Sequence, residues 1–330
     1  MRVLLLSNQP ERTTRLMMFK GTLESQGFDV IVPRFTTRSW LGVAREARRT
    51  LRSEKPDVVH IFNVPDIIYH GLTKLKGSCF QKLIYDYRSP WGVELQMAFG
   101  PVARPAGEHF ERELAKGADL ITAVNRPLAD KVASYKESKG KPLFIVSNYP
   151  ARSFLEISER LSEHDLPEKK AIIFMGRISR QEGIGNLLRL IGSIPEQPFW
   201  IIGDGPLSRW YLRKLPANAR FLGWQPHEKV AGLIRKARIC LIPHSESLLT
   251  PYATDRSVWK LNEYLALGKI VVASGVTMEE KRKNLVVVKS WQLKDAVLEN
   301  LRREPERLSP EDYRFWDGND KIIGEVYESL

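Results

Sequence analysis

Lys260-Leu261-Asn262-Glu263-Tyr264-Leu265-Ala266-Leu267-Gly268-Lys269-Ile270-Val271-Val272-Ala273-Ser274 puts one carboxylate on the core side of a short helix that runs directly into a strand. Trp259, Leu261, Tyr264, Leu265 and Leu267 keep helical spacing, and Gly268 stops the helix. Ile270 to Ala273 is an unbroken apolar run, as a parallel strand needs when both its faces are covered. Glu263 therefore lies beside the core, where a carboxylate costs free energy unless donors hydrogen-bond it. The diol of a bound ribose is one such partner.

The same alternation of short apolar strands and helical segments runs through the chain. Val3–Leu6, Val30–Val32, Val58–Phe62, Leu83–Tyr85, Leu120–Val124 and Leu143–Val146 form a first series of strands. Ala171–Met175, Phe199–Ile202, Ala219–Leu222, Ile239–Ile242, Ile270–Ala273 and Leu285–Val288 form a second. Repeated βα units predict parallel sheets, hence an α/β chain of two Rossmann-like, doubly wound domains facing a cleft. We place the first domain at 1–165 and the second at 166–310. A final amphipathic helix within 311–330, led by Phe315-Trp316-Asp317, returns to the first. Ligands of such sheets bind outside the strand carboxyl ends, so the cleft is the expected site.

Bulk properties narrow the class. With 330 residues, 43% hydrophobic and 27% charged, the chain can bury two sizeable cores. No run approaches the roughly 18 apolar residues of a membrane span, and Arg2 to Ser7 is too short an apolar stretch for a signal peptide, so a cytoplasmic protein is expected. Cys79 and Cys240 have no metal-ligand spacing; neither a disulfide framework nor a metal site is indicated, and both read as small buried hydrophobes. Fifty-one Lys and Arg against 39 Asp and Glu give a net charge of +12, which favours anionic partners. Nucleic-acid signatures are missing, and no Gly-x-Gly-x-x-Gly follows a first strand, which disfavours a nicotinamide dehydrogenase.

The second half carries the motifs. The strand ending Met175-Gly176-Arg177 is followed by Ile178-Ser179-Arg180-Gln181-Glu182-Gly183 and an apolar helix. A glycine turn before a helix N-terminus presents backbone N–H groups, and Arg177 adds a planar cation, which together make a diphosphate site. The next strand ends Gly203-Asp204-Gly205-Pro206, with Pro206 suited to a first helical turn. Phe221-Leu222-Gly223-Trp224-Gln225-Pro226 and Leu241-Ile242-Pro243-His244 follow at ordinary spacings.

In order and spacing, these segments and the Glu263 helix resemble retaining glycosyltransferases of the GT-B fold, family 4. The resemblance covers nearly the whole chain and is strongest from Gly176 to Ser274. It implies transfer of a sugar from a nucleotide-diphosphate-sugar to a saccharide or lipid-linked acceptor, without cofactor or metal. It also implies roles: Glu263 on the donor ribose, Gly176, Arg177 and Gly203 at the diphosphate, and Trp224 near the base, where it equally reads as a plain core or rim tryptophan. The family's lysine before the second glycine is Glu182 here, so either Arg180 or Lys260 supplies the missing cation or the donor is handled differently from the family norm. The family's Glu-x7-Glu pattern puts Asp255 near the transferred sugar, with Glu246 as competitor; Asp255 equally reads as a helix cap.

The first half departs further. Ser7 to Arg15 has no glycine loop. His60, in Asp57-Val58-Val59-His60-Ile61-Phe62, matches the family's Asp-x-x-His strand and reads as catalytic or as a core histidine. Tyr85-Asp86-Tyr87-Arg88 keeps Asp86 but has tyrosine where relatives carry histidine; Asp86 and Arg88 read as acceptor-site residues or as a structural ion pair. Lastly, Trp40, Leu41, Val43, Ala44, Ala47 and Leu51 alternate with Arg45, Arg48, Arg49 and Arg52 in a basic amphipathic helix. Its apolar stripe packs either on the sheet or on an anionic membrane, the latter giving a peripheral location at the inner membrane face.

Overall fold

The structure, a computed structural model, describes residues 1–159, 171–205, 208–213 and 215–330. The chain divides into two units, Met1–Asn148 with Gly318–Leu330, and Tyr149–Asp317. The boundary expected at 165/166 lies outside the described residues, as does Pro206.

In the first unit, β1 (Arg2–Leu6), β2 (Asp29–Ile31), β3 (Val58–Phe62), β4 (Lys82–Tyr87), β5 (Leu120–Ala123) and β6 (Leu143–Ile145) form one parallel sheet in the order β2-β1-β3-β4-β5-β6. Helices α1 (Thr14–Ser25), α2 (Trp40–Glu54), α3 (Trp91–Phe99), α4 (Arg104–Gly117) and α5 (Arg126–Ala133) connect the strands. Every residue of β3 is buried, as its apolar run requires in a sheet covered on both faces.

The second unit repeats the plan. β7 (Ile172–Met175), β8 (Phe199–Ile202), β9 (Ala219–Gly223), β10 (Ile239–Pro243), β11 (Ile270–Ser274) and β12 (Leu285–Val288) form a parallel sheet ordered β12-β11-β10-β7-β8-β9. Its helices are α6 (Ser153–Glu159), α7 (Ile184–Ser193), α8 (Ser208–Tyr211), α9 (His227–Lys236), α10 (Trp259–Ala266) and α11 (Leu293–Leu301). Alternate strand residues feed two cores. Ile173, Cys240, Ile242, Val271 and Ala273 meet α9, α10 and Phe154; Ile172, Phe174, Leu241, Ile270 and Val272 meet α7 and α11. At about 1.5–3 kcal/mol for each fully buried aliphatic side chain, these layers fix where the strand ends fall. Two Rossmann-like units of this kind are the GT-B fold.

The last helix, α12 (Asp320–Glu328), belongs to the first unit. Thr22 Oγ1 donates to Asp320 Oδ1 at 2.9 Å and Gln26 Nε2 to the Asp320 carbonyl at 2.9 Å, fastening α12 to α1. Phe315 and Trp316 remain with the second unit, where the Trp316 amide donates to the Pro150 carbonyl at 2.9 Å. One alternative falls away and one expectation changes. Helix α2 buries Val43, Ala44, Ala47 and Leu51 in its own unit, so that stripe is not available to a membrane. Cys240 is fully buried, whereas Cys79 is only half-buried. No helix among the described residues is long and apolar enough to cross a membrane.

Candidate functional site

Strand order in the second unit reverses between β7 and β10, and a crevice opens outside the carboxyl ends at such a switch point. Two close approaches shape it. Gly203, with φ +127°, passes so near β7 that a Cβ would stand 1.9 Å from the Gly176 carbonyl oxygen. Gly183, with φ +79°, leads into α7, and a Cβ there would stand 1.9 Å from the Pro243 carbonyl oxygen. Glycine alone fits both places. The N-terminus of α7 is thereby brought onto the ends of β7 and β10. No side chain among the described residues caps it; the Gly183 and Ile184 amides donate to the Arg180 and Ser179 carbonyls at 3.0 and 3.3 Å, which leaves the Gly185 and Asn186 N–H groups of the first turn for an anion. Arg177 is exposed beside it and has no partner among the described residues.

Helix α10 delivers two further groups. The buried Tyr264 hydroxyl accepts from the Met175 amide at 3.0 Å, which pins the helix to the end of β7. Lys260 extends over the Phe174 ring, 5.1 Å from its centroid, and its ammonium pairs with Glu182 Oε2. His244 Nε2 lies 3.3 Å from the same oxygen. Gly176 makes room, since a Cβ there would be 3.1 Å from both Glu182 Oε2 and Lys260 Nζ. Burial would raise the Glu182 carboxyl, but Lys260 and His244 outweigh it and hold it well below the usual carboxylate range. Burial, helped by Lys260, lowers His244, which stays neutral near pH 7. The acidic residue at 182 therefore stands against Lys260, and the cation expected to face a diphosphate is already engaged.

Glu263, one turn on, is 5% exposed, and its Oε1 lies 3.1 Å from Nε2 of His227 at the start of α9. His227 also packs against Phe154, with centroids 4.8 Å apart. The bond to Glu263 raises the imidazole above its ordinary value, against a smaller opposing effect of burial. Because the folded-state value is the higher one, the stabilisation is complete below the unfolded value of about 6.5 and is lost as pH rises through the folded value. The melting temperature of the wild type should therefore fall relative to His227→Gln as pH is raised through this window. Parallel curves from pH 5 to 9 would remove the coupling. Trp224 follows β9 and is 72% exposed, so it is a surface ring free to stack. It adjoins Gly223, whose carbonyl accepts from the Gly203 amide at 2.9 Å.

Asp255 is placed otherwise than the sequence suggests. Its carboxylate is fully buried: Oδ1 accepts from the Glu279 amide at 2.7 Å, and Oδ2, with no hydrogen-bond partner among the described residues, lies 3.9 Å from Arg282 Nη1. Burial raises this group above its ordinary value. It tethers the turn after β11, neither opening toward a sugar nor capping α10, whose N-cap is Val258. Glu246 receives the Ser290 amide at 2.8 Å and the Ser290 hydroxyl at 2.6 Å, a clamp on the turn before α11.

In the first unit the carboxyl ends of β3 and β4 carry a buried polar network. Asp86 does not pair with Arg88. It receives two parallel bonds from Arg15, each 2.8 Å, and one from Thr122 Oγ1 at 2.7 Å. Burial alone would raise this carboxyl, but the charge and hydrogen bonds of Arg15 prevail and lower it. Arg88 serves Asn63, through its side chain to the carbonyl and through its amide to Oδ1 at 2.8 Å. Tyr85 donates to the buried Asp66, whose carboxyl is pushed well above its ordinary value by burial and by the charge of Glu111. His60 is a core histidine. Its Nδ1 meets the Tyr327 hydroxyl at 2.7 Å, its ring stacks on Phe62, and burial pushes its pKa down to about 3.

The structure thus brings Gly176, Arg177, Gly203, Lys260 and Glu263 to the carboxyl end of the sheet around β7 and buries His60, Asp86 and Asp255 as structural groups. Sequence reasoning passed over His227, Arg15 and Asp66. His227 had a signal, since it directly follows the Phe-Leu-Gly-x-x-Pro segment; Arg15 and Asp66 had none.

Residues 169–303 match the family described as "Glycosyl transferases group 1". No curated protein matches the chain. Among solved structures, sucrose-phosphate synthase from Thermosynechococcus elongatus aligns at TM-score 0.69 and 15% identity, covering 100% of this chain and 98% of that one. HepE from Anabaena, in complex with UDP and glucose, aligns at 0.62 and 13%, covering 100% of both. UDP-GlcNAc 2-epimerase from Methanocaldococcus jannaschii aligns at 0.57 and 12%, covering 99% of both. At these identities the likeness is one of fold. The family match spans the crevice residues from Gly176 to Glu263.

Proposed function

We propose that this chain is a glycosyltransferase that moves a sugar from a nucleotide-diphosphate-sugar to a saccharide or lipid-linked acceptor. The main support is Glu263, a nearly buried carboxylate beside the switch point whose side-chain partner among the described residues is one histidine that is itself 58% exposed. A ribose diol would supply the donors this carboxylate lacks. Arg177, the α7 N-terminus and Lys260 then lie where negative charge grows on the departing diphosphate as the bond from the anomeric carbon to phosphate oxygen breaks. Trp224 would stack on the base.

Transfer would proceed with retention. The acceptor oxygen bonds to the anomeric carbon on the face the diphosphate leaves, and the acceptor proton passes to a phosphate oxygen. His60, Asp86 and Asp255 are buried and engaged, which supports giving the proton to the donor phosphate instead of to any of the three. A thermal-shift screen with UDP-, GDP- and ADP-sugars tests the reading, because a ligand of the native state raises its stability with saturation. One nucleotide should shift the transition, and no shift with any would remove the proposal.

Glu182 favours a second reading, a sugar-nucleotide-binding protein that has lost turnover, because it occupies Lys260. Glu182→Gln frees the ammonium for a charge-assisted hydrogen bond to phosphate and should tighten nucleoside-diphosphate binding about tenfold. Unchanged affinity in titration calorimetry would place Lys260 outside the diphosphate site. Sugar transfer by the wild-type protein would exclude the second reading.

A further inference from the structure

The turn between α3 and α4 carries Met97-Ala98-Phe99-Gly100-Pro101-Val102-Ala103, seven residues without a polar side chain. Phe99 is 73% and Val102 88% exposed, and Met97, Ala98 and Pro101 are exposed beside them. The two helices pack closely: a Cβ on Gly107 would stand 2.5 Å from the Gly92 Cα, so the hairpin is tight where it leaves the body. Its apolar tip stands in solvent, with Phe99 and Val102 largely uncovered, and so can act as an inserting part.

A second apolar projection lies at the other end of α3, about 13 Å away by helical rise. There Trp40 meets the edge of Trp91, with centroids 6.4 Å apart, and Leu41 is 74% exposed. Residues 34–52 hold six arginines and one acid, Glu46, which is taken up by the Thr36 amide at 2.8 Å and by the Thr36 hydroxyl. Helical spacing puts Leu41, Arg45, Arg49 and Arg52 along one face of α2, and all four are exposed.

We propose that this face of the first unit docks on an anionic lipid surface, with Phe99 and Val102 entering the acyl boundary and the α2 arginines meeting headgroup phosphates. Lipid needs no complementary pocket to accept an apolar tip, and clustered arginines are attracted to an anionic leaflet. Docking is independent of the donor site in the second unit.

The test is co-sedimentation with phosphatidylcholine vesicles, with and without phosphatidylglycerol, at low and high salt. The wild type should bind the phosphatidylglycerol vesicles and be released by salt. Phe99→Ser with Val102→Ser should lower partitioning at least about tenfold. Arg45→Glu with Arg49→Glu should remove the preference for the anionic lipid. In a Phe99→Trp variant the emission should shift to the blue on binding. A wild type that ignores both vesicles, or a Ser variant that binds as the wild type does, overturns the proposal. So does light scattering that shows a dimer made monomeric by the Ser substitutions, which would make the tip a contact between copies of this chain.

Discussion

Glu263→Ala is expected to abolish the thermal shift that a nucleotide-diphosphate-sugar produces in the wild-type protein. Two ribose hydroxyls donating to one carboxylate contribute about 1.5–3 kcal/mol each, so their loss weakens binding by about a hundredfold or more. The fold should survive, because the carboxylate's side-chain partner among the described residues is His227, which then finds solvent. Glu263→Gln keeps one acceptor oxygen and should fall between. Equal donor affinity in wild type and Glu263→Ala, measured by calorimetry with the melting temperature preserved, would sink the ribose assignment.

Arg15→Ala should act on stability instead. Arg15 is 3% and Asp86 0% exposed, and the two share a bidentate pair. Removing the cation leaves a buried carboxylate uncompensated, which costs about 3–5 kcal/mol. Arg15 also donates to the Val146 carbonyl and to Asn148, so α1 would lose its hold on the end of the unit's last strand. Asp86 is lowered in the folded state, so its contribution is present above the unfolded value of about 3.9 and is lost as pH falls through the folded one. Denaturant titration at neutral pH should therefore show a large loss for Arg15→Ala, shrinking on acidification. A stability equal to wild type would mean that Asp86 is solvated, and it would return to the field as an acceptor-site group.

These two residues mark how far the sequence was legible. All twelve strands were legible; the central ones, such as β3, β10 and β11, are continuous apolar runs because a sheet covered on both faces demands them, while the edge strands β2, β6 and β9 are only partly covered. The placement of three residues was legible for a related reason. Gly183 and Gly203 are required by backbone contact, and Glu263 sits on a periodic helix whose buried face can be counted. Asp255, His60 and Asp86 each kept two readings because a carboxylate or imidazole near a strand end looks alike whether it meets solvent or another chain segment. Their partners, Glu279, Tyr327 and Arg15, lie 24, 267 and 71 residues away. Spacing rules do not reach that far. The α2 stripe was ambiguous in the same way, since an apolar face does not say what covers it.

One consequence of the Tyr264 anchor concerns length. Lys260 and Glu263 ride on the same eight-residue helix, three residues and therefore about 4.5 Å of axial rise apart, and the helix is held to β7 by the buried Tyr264 hydroxyl and by core packing. Cation and carboxylate thus move together as fixed marks on a ruler. A ligand whose sugar hydroxyls and phosphate charge are set at another span can satisfy one mark only by giving up the other.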